Sequence, residues 1–417
     1  MKATVPALQV HANEITEYFY PLLFDQHPEV LPYFNQTNQG KGTQPKALAN
    51  AVIAYGANID ELGNLTEAVK KIVHKHASLG IYPEQYDAVG SCLLQAIKSV
   101  LGSAATDGVI DAWGVAYGQL AQILMDGEES VYADNERLPG GWRGEREFTL
   151  AKRVDESEVI TSFYFEPVDG QGVPTFDAGQ FITIVLDDID GLSVRRNYSL
   201  SDAPGKKYLR ISVKREPQGA VSNHLHNQLQ VGNTVKLLPP CGDFTLRKNK
   251  RPLVLLTGGV GITPAISMLN AEAGSGRDIR FIHAALNADV HAFKTHVDQL
   301  AVDHDHIAPF YVYSEPSPSC QPHAEGFISK DLIAAQLPHD LDVEFYFLGP
   351  KPFMAAALKI AKELGLPDSQ IHYEFFGPVE SWPRKLAVSL KKRWSIEPPV
   401  TPNSWSDGGR EATVSLA

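Results

Sequence analysis

The sequence predicts a multidomain chain: an all-α segment, then an antiparallel β segment, then an α/β segment on a parallel sheet. Three changes of texture carry that reading. Residues 1–136 repeat apolar residues at helical spacing, as in LANAVIAYGANI (48–59), YDAVGSCLLQAIKSVL (86–101) and VIDAWGVAYGQLAQILM (109–125). Residues 145–248 run in short alternating stretches separated by Gly, Pro and Asp turns. Residues 251–378 alternate apolar strands with helical patterns.

The helical segment is broken by NQTNQGKG (35–42). The joint NERLPGGWRGERE (135–147) is rich in turn formers and marks a boundary. The stretches EFTLAKRV, ITSFYFEPV, QFITIVL, YLRISVKR and TVKLLPP then read as strands of an antiparallel barrel or sandwich. LVLLTGG, RFIHAAL and EFYFLGP are each followed by a helical pattern, which gives parallel βαβ units. Residues 379–417, with Pro, Ser and Trp prominent, are expected to be unstructured.

Bulk properties narrow the function. The 417 residues carry a formal net charge of −12, which disfavours nucleic acid as a partner. Cys92, Cys241 and Cys320 lie far apart, so neither a disulfide framework nor a thiolate metal site is suggested. No apolar run reaches membrane-spanning length and no signal-peptide pattern opens the chain, so a cytoplasmic protein is expected.

LVLLTGGVGITP (253–264) reads as a strand, a glycine turn and a helix start. Glycines let backbone approach a phosphate, and free N–H groups at a helix N-terminus receive it. Thr263 is the expected N-cap and Pro264 the first helical residue. Pro264 stands where a third glycine would complete the dinucleotide fingerprint, and RFIHAALN does not end in an acidic ribose reader. Gly258, Gly259, Val260, Gly261, Thr263 and Pro264 are therefore assigned to a nicotinamide-nucleotide site, NADH or NADPH, of a different type.

The pattern resembles the ferredoxin-reductase module. RRNYSL (195–200) is similar to its flavin motif, KREPQGAVSNHLH (214–226) to its flavin-phosphate loop, FLGPKPFM (347–354) to a nucleotide-binding turn and YEFFGP (373–378) to its C-terminal flavin contact. Arg196 offers a fork of donors to a pyrophosphate, and Tyr198, two residues on, shares its strand face. The resemblance implies an FAD site formed by Gln180, Phe181, Arg196, Asn197, Tyr198, Ser199, Gly219, Val221, Ser222, Glu374, Phe375 and Phe376.

The segment NLTEAVKKIVHKHASLG places Leu65, Val69, Ile72, His76 and Leu79 on one helix face. His74 lies about 200° away, with Lys70 and Lys71, and is expected to face water. An inward histidine is by itself an ordinary core residue. In a helical segment ahead of a redox module, His76 instead suggests an electron acceptor.

Residues 1–378 as a whole resemble the flavohaemoglobins, in which a globin is fused to an FAD/NAD reductase. Lys75-His76 and Pro83-Glu84-Gln85-Tyr86 match the family's proximal segment. The resemblance implies His76 as the axial ligand of haem b, oriented by Tyr86 and Glu128. It implies a distal side in which Tyr20 donates to dioxygen with help from Gln44, Phe34 wedges the haem and Leu48 crowds the pocket; Tyr18 competes with Tyr20 in the same aromatic run. It also implies a β-barrel for the FAD segment and nitric oxide dioxygenase activity. In that reaction NO and O2 become nitrate, and electrons pass from NAD(P)H through FAD to haem. The alternative is an NAD(P)H–flavin reductase (diaphorase) with an O2-binding or O2-sensing globin. A monomer is expected. The basic stretch WPRKLAVSLKKRW (382–394) offers contact with an anionic membrane as the alternative to a solvated tail.

Overall fold

The computed structural model describes residues 2–34, 43–189 and 191–376. The proposed tail 379–417, its membrane segment 382–394 and the side chain of Gln44 lie outside the described residues.

The N-terminal part is helical: α1 (Val5–Val10), α2 (Ala12–Gln26), α3 (Thr43–Ala57), α4 (Thr66–Leu79), α5 (Pro83–Leu101) and α6 (Asp107–Arg137). Its core joins Phe19, Tyr20 and Leu23 of α2 to Leu93, Ala96 and Ile97 of α5 and Trp113 of α6. Burial of such large side chains contributes roughly 1.5–3 kcal/mol each. Two glycines set how closely the helices cross. A Cβ on Gly56 would lie 2.6 Å from the Trp113 ring, and one on Gly90 would lie 2.4 Å from the Tyr117 ring.

The turn between α4 and α5 follows from sequence. Gly80 takes a left-handed conformation (φ 71°) and ends α4. Pro83 opens α5 with a pre-set φ, while the Gln85 side chain accepts from the Tyr82 N–H at 2.8 Å. The motif thus places His76 in the last turn of one helix and Tyr86 in the first turn of the next.

The second part is an antiparallel sheet of β1 (Arg146–Asp155), β2 (Ile160–Pro167), β3 (Phe181–Ile189), β4 (Leu192–Ser199), β5 (Leu209–Lys214) and β6 (Thr234–Cys241), with α7 (Ala220–Asn227) before β6. The order is β4-β3-β6-β1-β2-β5. A bridge from Leu200 to Ile211 brings the two edges together, so the sheet is a barrel. Its interior is apolar, with Phe148, Phe163, Phe165, Ile182 and Ile211 fully enclosed.

The third part is a parallel sheet in the order β10-β9-β8-β7-β11-β12. Its strands are β7 (Leu253–Gly258), β8 (Ile279–Ala285), β9 (Ile307–Tyr313), β10 (Ala324–Glu325), β11 (Glu344–Leu348) and β12 (Ile371–Tyr373). Its helices are α8 (Ile262–Glu272), α9 (Lys294–Asp303), α10 (Lys330–Ala334) and α11 (Lys351–Glu363). All three strands read from the sequence are present. β9 was missed because Pro309 interrupts its apolar run, and proline in a strand argues against that assignment.

The start of α8 differs from expectation. The 3-10 turn Gly259–Gly261 feeds directly into a helix beginning at Ile262, so Gly261 is the N-cap. Thr263 lies inside the first turn and donates its hydroxyl to the Val260 carbonyl at 3.1 Å. Pro264 also lies within that turn, where no intrahelical N–H is needed.

Candidate haem, flavin and nucleotide sites

The strongest constellation is at the α4–α5 turn. His76 Nδ1 lies 2.8 Å from Glu128 Oε1 and 2.9 Å from the Tyr86 hydroxyl. Tyr86 itself donates to Glu128 Oε1 at 2.5 Å. Glu128 comes from α6 and is 2% exposed, so it is a buried carboxylate and not a solvated one. Burial, reinforced by the Glu128 charge and hydrogen bond, raises the Tyr86 pKa far above the ordinary phenol range. Tyr86 therefore stays neutral and donates.

With Nδ1–H donated to a carboxylate, the neutral imidazole carries its lone pair on Nε2. The His76 side chain is 33% exposed, so it is not the fully packed core histidine that an inward position alone would give. An oriented imidazole with one nitrogen tied to a buried carboxylate is what an axial metal ligand needs. This donor set fits a haem.

The other side of the helical core holds Tyr20, which is 6% exposed. Its ring centroid is 5.8 Å from that of Phe34 and 5.8 Å from that of Phe24. Tyr18 is 47% exposed, so Tyr20 is the tyrosine of that run that lies in the helical core. Leu48 packs on the same cluster.

His74 departs from expectation. Its Nδ1 is buried and has no hydrogen-bond partner among the described residues. Burial lowers its pKa, against the pull of Asp243. Lys70 and Lys71 on the same face are exposed as expected, and only His74 is partly buried.

The alternation of β4 divides RRNY into two duties. Arg195 and Asn197 face the helical part. Arg195 donates to the Leu79 carbonyl and to Glu145 at 2.7 Å, with its guanidinium 4.7 Å from the Tyr33 ring centroid. Asn197 donates to Ser78 Oγ at 3.1 Å and to Thr183 Oγ1 at 2.6 Å, and accepts from Lys75. Thr183 donates to the Ser78 carbonyl. Ser78 and Thr183 were not legible as functional; Lys75 showed only in the K-H segment and Arg195 only as a member of RRNYSL. They fix the His76 helix against the flavin strand.

Arg196 and Tyr198 project from the opposite face. Burial lowers the Arg196 pKa and raises that of Tyr198 to about 12. Among the described residues the Arg196 side chain donates to the Arg195 carbonyl at 2.8 Å, which leaves guanidinium donors for a phosphate. Gln180 is held by Gly242 and Asp177, and the Phe181 ring lies against Gly242, where a Cβ would come within 2.9 Å. Gly219 N-caps α7, Val221 is buried within it, and the Ser222 hydroxyl bridges to Gly219 and Glu216. Ser199 is buried at the strand end. These residues fit an anionic, planar cofactor.

At the nucleotide turn, a Cβ on Gly261 would lie 2.5 Å from the Leu348 backbone, and one on Gly258 would lie 3.0 Å from the Phe353 ring. Gly259 is left-handed (φ 51°). The Leu348 backbone and Phe353 leave no room for a side chain at Gly261 and Gly258, and the left-handed φ disfavours one at Gly259.

Glu374, Phe375 and Phe376 follow β12. Lys351 lies 5.6 Å from the Phe375 ring centroid, and Phe376 is 47% exposed. Burial and the nearby Asp243 raise the Glu374 pKa to about 7, against the pull of Lys75 and Lys71. Lys75 is exposed, with protein crowded around its side chain. That surrounding lowers its pKa to about 8 despite Glu374.

A pH effect follows. The Glu374 pKa in the fold lies above the ordinary value of 4.5, so the folded state holds the proton more tightly. Ionisation then costs stability as pH rises from that value through about 7. In protein freed of cofactors, Glu374→Gln is expected to match wild type in Tm near the ordinary carboxylate range and to exceed it at mildly alkaline pH. A Tm difference that does not change with pH would contradict this origin.

A helical domain with an oriented histidine, a flavin-type barrel and a nucleotide-binding parallel sheet define a globin–reductase fusion. The comparisons agree. Residues 17–124 match the globin family, 147–246 the oxidoreductase FAD-binding domain and 255–359 the oxidoreductase NAD-binding domain. A flavohemoprotein of Pseudomonas putida is 52% identical over 379 residues, covering 91% of this chain and 96% of the relative. A flavohemoprotein of a Burkholderia species is 50% identical over 383 residues, covering 91% and 97%. The flavohemoglobin of Malassezia yamatoensis, solved with bound FAD and heme, superposes with a TM-score of 0.79 at 28% identity, covering 90% of this chain and 97% of that one. The FAD/NAD-binding domain of a nitric oxide dioxygenase from Vibrio cholerae gives 0.52 at 34% identity, over 56% and 99%.

The chain belongs to the flavohemoprotein family. It is an oxidoreductase whose cofactors are haem, FAD and a nicotinamide nucleotide, with small gases such as O2 as ligands of the globin. Among the described residues no helix is long and apolar enough to cross a membrane.

Proposed function

We propose that this chain is a nitric oxide dioxygenase that converts NO and O2 to nitrate with electrons from NAD(P)H. The observation that carries the reading is the His76–Glu128–Tyr86 hydrogen-bond triad on a helix docked directly onto the flavin strand. When bound, the nicotinamide supplies hydride, the flavin divides it into single electrons, and the haem iron is where the two gases react.

The chain's own residues do the rest. His76 offers Nε2 as axial ligand, and Glu128 Oε1 holds Nδ1–H and makes the imidazole more basic. Tyr86 completes the solvation of that carboxylate, so a buried charge is not left bare. Tyr20 presents its hydroxyl from the distal wall to polarise dioxygen, assisted by Gln44, while Leu48 and Phe34 keep water out. Arg196, with Gly219, Val221 and Ser222, would hold the flavin phosphates; Tyr198 and, after β12, Glu374, Phe375 and Phe376 would hold its ring. The bare backbone of Gly258–Gly261, with Thr263 and Pro264 behind it, takes the nucleotide phosphates. The domain division is 1–136, 145–248 and 251–378, and the enzyme acts in the cytoplasm as a monomer.

The test is NO consumption by the purified holoenzyme at an NO electrode. Fast loss of NO that needs NADH and air together supports the proposal. NADH oxidation in air that is indifferent to NO would overturn it in favour of a diaphorase.

A further inference from the structure

A second polar cluster lies where the barrel meets the nucleotide domain. Beyond β4 the chain runs through Leu200 and Ser201 to Asp202, all buried. Asp202 Oδ1 accepts from the Ala203 N–H and from Asn270 Nδ2, both at 2.8 Å. Its Oδ2 accepts from the Tyr208 hydroxyl at 2.7 Å, and Arg210 NH1 lies 3.6 Å away. The Asp202 carbonyl accepts from Ser267 Oγ at 2.7 Å.

Ser267 and Asn270 are both on α8, the helix that begins at the glycine turn. Asn270 Oδ1 in turn accepts from His296 Nε2 on α9 at 2.7 Å. Arg210, which also donates to the Ser201 carbonyl, has its guanidinium 5.3 Å from the Phe293 ring centroid at the start of α9. One carboxylate therefore ties the flavin strand to two helices of the nucleotide domain. Burial opposes its ionisation, but Arg210, Tyr208 and Asn270 outweigh burial and hold Asp202 below its ordinary range.

The connections on both sides are short and stiff. Asp202 is three residues past Ser199, whose neighbours Arg196 and Tyr198 are assigned to the flavin. Ser267 and Asn270 lie on a helix whose residues from Ile262 to Leu269 are all buried. A displacement at this contact therefore travels to the glycine turn as a rigid-body shift. Hydride transfer is sensitive to such shifts, since a misplacement of about 1 Å can cost on the order of 100-fold in rate.

We propose that Asp202, clamped by Asn270 and Ser267, is a positioning residue for hydride transfer, which sets the separation between nicotinamide and flavin by locking α8 to the end of β4. The inference rests on the NAD-dependent oxidoreductase assignment and is independent of which gas reacts at the globin.

The test uses holoenzyme and anaerobic stopped-flow reduction of the flavin by NADH, for wild type, Asn270→Ala and Ser267→Ala. The limiting reduction rate is expected to fall roughly tenfold to a hundredfold in Asn270→Ala, with the NADH dissociation constant within about twofold. The long-wavelength charge-transfer band of the nicotinamide–flavin pair should weaken. The isotope effect from nicotinamide deuterated at the transferred position should become more temperature-dependent. Electron passage from photoreduced flavin to haem should be unchanged. Flavin reduction within twofold of wild type, or a loss explained by weaker NADH binding with an unaltered isotope effect, would overturn the proposal. If Asn270→Ala does not load flavin, Ser267→Ala, which removes one hydrogen bond to a backbone carbonyl, decides on the same readouts.

Discussion

Replacing His76 with alanine is expected to abolish haem retention and NO consumption while flavin reduction by NADH continues. The argument is local. Within the triad His76 Nδ1, Glu128 Oε1 and the Tyr86 hydroxyl are bound to one another, which leaves the His76 Nε2 lone pair for iron. The neighbouring histidine cannot substitute: His74 leaves the helix toward the barrel, with a buried Nδ1. The same change leaves the buried Glu128 with Tyr86 but without the imidazole N–H. The helical part should therefore lose stability by roughly 1–3 kcal/mol. The check is the visible spectrum of the purified variant. A flavin spectrum without a haem band is expected, with a haem band partly restored by added imidazole. A full haem complement in His76→Ala would remove the assignment.

The second large effect is at Tyr20. Tyr20→Phe deletes one hydroxyl from a buried ring that otherwise keeps its contacts with Phe24 and Phe34. Loss of a preorganised donor facing a developing negative charge costs on the order of 100- to 1,000-fold in turnover. NO consumption should fall by about that factor, while haem content and flavin reduction stay near wild type. Tyr18→Phe is the control, since Tyr18 is exposed and should have no effect. NO turnover in Tyr20→Phe equal to that of wild type would place the donor elsewhere.

Much of this was legible in the sequence because local patterns carried it. Helical periodicity marked α3, α5 and α6, period-two alternation marked the barrel strands, and LVLLTGGVG marked the nucleotide turn. The His76–Tyr86–Glu128 triad was legible from the resemblance, and the structure brings the three together. The misses have a common cause: they depend on contacts between segments far apart in the chain. His74 lies on the polar side of an isolated helix, where Lys70 and Lys71 stay exposed, and only the neighbouring segment that carries Asp243 buries its Nδ1. Arg195 and Asn197 read as members of a flavin motif, but the pleat of β4 sends them to the helical part. Asp202 carries no motif, and its importance appears only once α8 is packed against it.

The most direct measurement is the ratio of nitrate formed to NADH oxidised by the holoenzyme in air with NO supplied. Each nitrate made from NO and O2 takes one electron, and each NADH gives two. The account predicts two nitrates per NADH, with two NO consumed. NADH oxidation that yields no nitrate, or nitrate formed without NADH, would contradict it.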